Sequence, residues 1–576
     1  MSRSNARRNK KNNKKNNNRH QDPQEAYQKQ ILSQKFTDVA YGNLKAGDIE
    51  ADIINKMDIP DQFPQAVIKE VQEIVATQSN PQDLLKDPKR EDLTHLPFVT
   101  IDGADARDFD DAVHSYPDPD GSNKDGHILW VAIADVSHYV RPGTALDKEA
   151  KKRGTSVYFP SKVVPMLPEG LSNGLCSLKP DEYRACVAYE MKISAKGKVI
   201  NAKMHNGVMK SVARLTYPQV LAGIDGKPDA AVAPIMDTLI KPMHNVFKSL
   251  LQSREARGAI NFGFDEISVH TTKENPDVPE FDQITGDDAR CLIEEAMIAA
   301  NISAARDENK TKQGVYRVQG KPSARKKDTI KELLQLGVTS ATGCESGKEI
   351  SGKTFVSMLE EAELSDDPSH AKSLILRMQK RAFYTDKNVG HFCLALPEYT
   401  HFTSPIRRYP DLMVHRNLKT AFNFSAEPQS ATMESDAKHC SYTERRADKA
   451  SKEANKQYTM SYLYDLQGQS LNARIVDVSA ARGIRISIDN CNYHTNLSKG
   501  DLPTGPYALN QDKDALVNTL TGHCFTIGDS LDVSLHFGLR DDDDAPVVFL
   551  DNADQALPQT NAKPAKKQNK GQNPQP

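Results

Sequence analysis

Between an apolar lead-in, LPFVTI, and a longer apolar run, ILWVAIADVSHYV, the chain sets five aspartates within ten positions: Asp102, Asp105, Asp108, Asp110 and Asp111. Both flanks read as buried strands, so the acids stand where a sheet ends and not on a long polar tail. A fold that crowds carboxylates there must offset a repulsion of about 4 kcal/mol per pair at 4 Å and an effective dielectric of 20. A hard divalent cation is the natural remedy, because Mg²⁺ is held by one or two carboxylates together with waters and substrate phosphates. A calcium loop would need Gly at its sixth position and Glu at its twelfth, and no start at Asp102, Asp105 or Asp108 supplies both. What remains is an open Mg²⁺ site of the kind that carries out phosphoryl transfer with two metals.

The rest of the chain bounds that chemistry. With 576 residues it has room for three or four domains and a large core. No apolar stretch approaches the ~20 residues needed to span a bilayer, and MSRSNARRNKKNNKKNNNRH at the start lacks the apolar segment of a signal peptide. A cytoplasmic protein without membrane partners is expected. The eight cysteines are scattered, with no CxxC pair, which argues against zinc and against a disulfide framework. Net charge is only −2, yet the first twenty residues carry eight Lys or Arg and no acid, and NAKPAKKQNKGQNPQP at the other end is also basic. Residues 1–22 and 556–576 are too polar to fold and read as disordered basic tails, a composition that holds polyanions through counterion release.

The pattern predicts an α+β fold. Residues 23–91 mix short helical patterns with a connector leading into the main domain. From 92 to 465 strands alternate with amphipathic helices such as CLIEEAMIAANISAAR and AKSLILRMQKRAFYT, which predicts one large α+β domain. From 468 to 552 four short strand patterns, SLNARIVDVSA, GIRISIDN, SLDVSLHFGL and APVVFL, predict a small five-stranded barrel of the OB class, a fold that binds single strands. One string points elsewhere. GKEISGKT (347–354) fits the phosphate-binding loop pattern GxxxxGK[ST], but GVTSATGCES before it is not a buried strand, so the context for nucleotide binding is missing.

Taken together, TIDGADARDFDDAV, the segment running from LWVAIADVSHYV to GLSNGLCSL, ARLTY, ARGAINF, LIEEAMIAANISAAR and HFTSPIRRYPDLMVHR resemble, in order and at suitable spacing, the RNase II/RNase R (RNB) family of 3′-to-5′ exoribonucleases. The resemblance covers roughly residues 50 to 465, and the long middle segment is closer to the RNase R branch. It implies an RNB-type catalytic domain followed by an S1-like OB barrel. It also implies a processive, Mg²⁺-dependent exoribonuclease, with Mn²⁺ as an alternative ion, that hydrolyses single-stranded RNA to 5′-nucleoside monophosphates.

Residue by residue, the resemblance makes Asp102, Asp108, Asp110 and Asp111 the acidic quartet that holds the metal and the attacking water, and leaves Asp105 outside it. Arg407 matches the catalytic arginine, whose planar fork suits developing phosphorane charge as a point-charge lysine would not. Arg408 is assigned to the RNA backbone. Tyr158 and Phe262 match the two aromatics between which the last bases stack, and Tyr217 and Glu295 align with positions near the sugar, where the 2′-hydroxyl separates RNA from DNA. For Glu295 an ordinary surface salt bridge is the alternative. His391 and His401 read as structural or RNA-contacting, and Glu444 borders the channel without a catalytic role.

The chain departs from the family plan in two ways. Only about ninety residues precede the acidic motif, where the family carries a pair of cold-shock domains. The predicted barrel is also a degenerate S1 match, with the acidic run RDDDDA (540–545) and no aromatic-rich strand face. The basic tails are expected to supply part of the missing RNA-binding surface. A monomer without DNA as substrate is expected, and the sequence names no protein partner. The rival readings are a non-catalytic RNA-binding protein on an inactive nuclease domain and an ATP-driven RNA remodeller using GKEISGKT.

Overall fold

A computed structural model describes residues 23–34, 45–78, 80–260, 265–311, 313–323, 327–344, 347–365, 367–425, 432–491, 493–537 and 545–551. Both basic tails, most of the RDDDDA run and Phe262 lie outside the described residues.

Helices α1 (Pro23–Ser33), α2 (Ala46–Lys56) and α3 (Gln65–Thr77) come first. Ile49 and Ile53 of α2, and Val67 and Val71 of α3, stand four apart and so form one apolar stripe on each helix. The strands that follow in chain order are β1 (Glu91–Asp92), β2 (Val99–Asp102), β3 (Asp111–Pro117), β4 (His127–Ala134), the short hairpin β5 (Val157–Tyr158) and β6 (Val163–Val164), then β7 (Tyr183–Ile193), β8 (Val199–Lys210) and β9 (Ala213–Thr216). All except the hairpin join one sheet in the order β1-β8-β7-β4-β3-β2-β9. It is antiparallel except where β1 meets β8 and β2 meets β9. Strand β4 is buried from Ile128 to Ala134, which explains its unbroken apolar sequence. Val67 and Val71 enter the core of this sheet.

Helix α4 (Ala145–Arg153) leads from β4 to the hairpin, and α5 (Tyr217–Ile224), α6 (Lys241–Ala256) and α7 (Asp288–Thr311) follow the sheet, with α6 and α7 against β4. Two further strand pairs lie outside it: β10 (Asp265–Thr271) with β11 (Pro279–Thr285), and β12 (Tyr316–Val318) with β13 (Phe383–Thr385). Between the last two strands, α8 (Lys327–Gln335), α9 (Gly352–Glu363) and α10 (Pro368–Leu376) close a small core of their own around Phe355 and Met358. The GKEISGKT string starts α9: Ser351 caps it by accepting from the Thr354 amide, and a 3₁₀ turn, Thr339–Ala341, precedes it where a phosphate-binding loop would need a strand. Helices α11 (Tyr409–Ala421) and α12 (Met433–Asp465) complete this part, and α2 packs its isoleucines on Ala447, Ala450, Ala454 and Tyr458 of α12.

The remainder is all β, as the turn-rich pattern implies, but richer in strands than the five expected. It comprises β14 (Ser470–Ser479), β15 (Gly483–Ile488), β16 (Tyr493–Leu497), β17 (Tyr507–Leu509), β18 (Ala515–Asn518), β19 (Cys524–Thr526), β20 (Ser530–His536) and β21 (Val547–Leu550). Five form an antiparallel sheet, β16-β15-β14-β20-β21, whose two edges approach within 8 Å between Cα atoms without pairing. A second sheet, β17-β18-β19, packs Leu516 and Phe525 into the same core as Ile475, Ile486 and Val533. This curled sheet is consistent with an OB fold, and the α+β class is borne out.

Candidate active site

The four aspartates of the quartet gather because β2 and β3 are neighbours. Asp102 ends β2, Asp111 begins β3, and the eight-residue connection between them carries Asp108 and Asp110. That connection is stapled from behind. Ser177 Oγ donates to the Arg107 carbonyl at 2.8 Å and accepts from the Phe109 amide at 3.1 Å, and Arg214 Nη2 donates to the carbonyls of Gly103 and Ala104 at 2.7 and 2.6 Å. Asp105 stays exposed on the outer side of the turn.

Opposite lies the segment before α11. The Ile406 amide donates to Asp110 Oδ1 at 2.9 Å, and Arg407 Nε stands 3.7 Å from Asp110 Oδ2. Arg407 is fixed through its backbone: its carbonyl accepts from the Ser156 amide at 3.0 Å and the Thr155 hydroxyl at 2.9 Å. The side chain remains 48% exposed, free to meet a ligand. Gly154, just before Thr155 and Ser156, has a φ of +72° and lets α12 pack close, since a Cβ there would stand 2.0 Å from Thr443 Oγ1. Two residues beyond Ser156, Tyr158 closes β5 with its ring 43% exposed and its phenol beside the Arg407 guanidinium.

The charges do not balance. Burial raises the pKa of all four quartet carboxylates, that of Asp111 to about 7 and that of Asp110 well above the usual range. Repulsion between them adds to the shift at Asp102, Asp110 and Asp111. Arg407 acts on all four. Arg408 acts on Asp111 as well, but its Nε and Nη2 form a fork on the buried Asp411 at 2.9 and 2.7 Å. That fork leaves the Arg408 side chain 25% exposed. Asp110 Oδ2 is buried and accepts no hydrogen bond. An orphaned carboxylate oxygen among further oxygen donors suits a hard divalent cation, so Asp102, Asp108, Asp110 and Asp111 are the residues that would hold one. Among the described residues no three or more such side chains are already drawn together in a coordination cluster.

Tyr217 opens α5 at this same centre. It interacts with Asp102 and Asp111, and Arg290 stacks 4.6 Å over its ring. Glu295 carries an ion pair of its own. It is 2% exposed on α7, and Arg254 of α6 binds it at 2.6 Å while also holding Glu294 at 2.8 Å. The ion pair anticipated as a surface alternative is thus a buried one. Phe262 lies outside the described residues. His391 and His401 are both kept neutral by burial, the first pushed down to about 4, and His401 shares a 2.7 Å hydrogen bond with the Tyr384 hydroxyl. Glu444 of α12 pairs with Arg317 at 2.6 Å.

One residue that no motif flagged supports the aromatic hairpin. Glu50 of α2 is fully buried and accepts from the Ser161 amide at 3.0 Å, the Ser161 hydroxyl at 2.7 Å and the Tyr458 hydroxyl at 2.9 Å. Ser161 lies in the turn between β5 and β6, and Ser451 of α12 donates to the Tyr158 carbonyl at 2.7 Å. A glutamate in a short helix gives no sign in the sequence of this role.

A carboxylate cluster at a strand end, faced by a half-exposed arginine and an exposed aromatic, thus sits on an α+β scaffold. The chain belongs to the RNB-domain family, whose domain matches residues 90–423. It is 37% identical to ribonuclease R of Escherichia coli over 87% of this chain and 62% of that protein, so it spans a little under two thirds of that relative's length. Ribonuclease R of Aquifex aeolicus is 36% identical over 85% of this chain and 69% of that protein. Among solved structures, Mycoplasma genitalium RNase R in complex with ribose-methylated single-stranded RNA is similar with a TM-score of 0.70, at 26% identity over 88% of this chain and 78% of that one.

Proposed function

We propose that this protein is a metal-dependent 3′-to-5′ exoribonuclease that hydrolyses single-stranded RNA to 5′-nucleoside monophosphates. The observation that carries the reading is the buried Oδ2 of Asp110, which accepts no hydrogen bond, stands among three further carboxylates and has only the Arg407 guanidinium near it, at 3.7 Å. An RNA-binding surface without chemistry gains nothing by crowding carboxylates against a polyanion.

In this reading Asp102, Asp108, Asp110 and Asp111 hold Mg²⁺, with Mn²⁺ as an alternative. Bound divalent ions would neutralise the scissile phosphate and lower the pKa of a water so that it attacks phosphorus at neutral pH. The bond to the 3′-oxygen of the preceding nucleotide breaks, that oxygen takes a proton, and the terminal nucleotide leaves as a 5′-monophosphate. Arg407 offers its guanidinium to the non-bridging oxygens as negative charge builds on them. Tyr158 stacks on a base near the 3′ end, which holds RNA without reading its sequence. Tyr217, beside Asp102 and Asp111, is placed to meet the sugar, where a 2′-hydroxyl marks RNA. Residues 92–465 act as the catalytic unit and 468–552 as the strand-holding barrel, in a cytosolic monomer. Processivity follows from a single strand held at several points at once.

The test is a time course on a 5′-labelled single-stranded 30-mer with Mg²⁺ or with EDTA, next to a duplex with a 3′ overhang. Stepwise shortening to a small end product with Mg²⁺ alone supports the reading. Binding without shortening under any divalent ion overturns it, in favour of an inactive nuclease domain that only binds RNA.

A further inference from the structure

Away from the carboxylates, α1, α4, α12 and strand β13 enclose a groove of about 900 Å³. Six cations among the described residues line it: Lys29, Lys148, Lys151, Lys152, Lys438 and Arg445. Its two carboxylates are already engaged, Asp436 by Lys151 at 2.6 Å and Glu434 by Lys438 at 2.9 Å. That leaves four positive charges in excess, six against two. One further wall residue, Phe383 of β13, is 44% exposed.

Two of the elements that line the groove, α12 and α4, also run to the site. Arg445 and Ser451 are six residues apart on α12, a rise of roughly 9 Å, and Ser451 Oγ holds the Tyr158 carbonyl. From the other side, α4 carries Lys148, Lys151 and Lys152 and runs through Gly154 directly into Thr155 and Ser156, which grip the Arg407 carbonyl. A strand whose 3′ end lies at Tyr158 would therefore find the groove within a short run of chain.

We infer that this groove binds the sugar-phosphate backbone of the same RNA, upstream of the nucleotides at the carboxylate centre, with Phe383 as a platform for one base. The inference rests on the ribonuclease reading and adds a second binding surface to it. An excess of cations on one wall suits a polyanion, and an exposed ring beside it suits a strand with unpaired bases. An acidic protein segment would use the charges but not the ring.

The experiment measures affinity by fluorescence anisotropy in EDTA, across a KCl series, for a 30-mer and a tetranucleotide. The wild type is compared with Lys148→Gln/Lys152→Gln and with Phe383→Ala. Loss of two phosphate contacts makes log Kd against log salt shallower by about 1.4 for a single strand. The double variant is expected to show that change with the 30-mer, with a roughly tenfold weaker Kd at 0.1 M KCl, so that the advantage of the 30-mer over the tetranucleotide shrinks. Phe383→Ala should weaken 30-mer binding several-fold with the salt slope unchanged. An unchanged slope and length advantage in the double variant, at an unchanged Tm, overturns the groove. Weakening by Lys148→Gln/Lys152→Gln without any effect of Phe383→Ala removes the base platform and leaves a purely ionic surface. Failure of the wild type to shorten the 30-mer in Mg²⁺ would instead overturn the ribonuclease reading, so the two failures are distinct.

Discussion

The amide of Ile406 donates to Oδ1 of Asp110 at 2.9 Å, although 296 residues of chain separate them. This one bond ties the acidic connection between β2 and β3 to the segment that carries Arg407. It also fixes which oxygen of Asp110 is spent on the protein and which is left over. Substitution Asp110→Asn keeps the shape and the acceptor for Ile406 but removes the charge. We expect kcat on RNA to fall by at least about 10²-fold, the size of a lost electrostatic contact in a preorganised site. Affinity for RNA in EDTA should stay equal or rise, because a buried negative charge facing phosphate is gone. Single-turnover cleavage together with anisotropy checks both halves.

Arg407 tests geometry where Asp110 tests charge. Its backbone is clamped by Thr155 and Ser156, so Arg407→Lys leaves the fold alone and exchanges a planar fork for a compact point charge. A drop in kcat of about 10²-fold with Kd for RNA within a few-fold is the expected outcome. Full activity in the lysine variant would mean that charge alone suffices and that no bidentate contact is made.

Glu50 is expected to act through Tyr158. Glu50→Ala strips the acceptor from the Ser161 amide and hydroxyl and from the Tyr458 hydroxyl, at a cost of about 2–4 kcal/mol in stability, as expected for buried donors left unpaired. Urea unfolding gives the stability, and binding of a short single strand reports the loosened hairpin. Glu50→Gln retains an acceptor and should lose about half as much of each. A variant that loses stability but binds short RNA as well as the wild type would confine Glu50 to a structural role.

The two kinds of residue differ in how far the sequence reveals them. The aspartates are legible because their crowding at the end of an apolar run is local and costly, and β2 and β3 are adjacent in both sequence and space. Arg407 and Tyr158 needed the surrounding motifs, since an Arg-Arg pair or a tyrosine is by itself uninformative. Glu50 was not legible at all: its partner Tyr458 lies 408 residues away, and only the packed α2–α12 interface makes its charge meaningful. For Glu295 the motif gave the position but not its buried ion pair with Arg254, which comes from a different helix. In the all-β part, four strands with clear alternation were readable, whereas YHTNL and the short strands of the second sheet carry too few apolar residues to stand out from turns. The helices of the 23–91 stretch were visible as pattern, but not that α2 and α3 are built into the cores.

A buried carboxyl away from the site gives the molecule a pH dependence of its own. Glu308 on α7 is completely buried, accepts from Asn417 Nδ2 at 2.7 Å and the Val315 amide at 2.9 Å, and burial raises its pKa to about 8 from an ordinary value of 4.5. The folded chain therefore holds this proton more tightly than the unfolded chain does. Stability from this group is fully present below about pH 4.5 and is lost as pH rises towards and through 8. Glu308→Gln removes the titration and keeps the shape. The Tm of the wild type should therefore fall relative to that of Glu308→Gln as the buffer is taken from pH 5 to pH 8.5, in scans at constant ionic strength. A difference between the two Tm values that stays constant over this range would mean that Glu308 has the same proton affinity folded and unfolded.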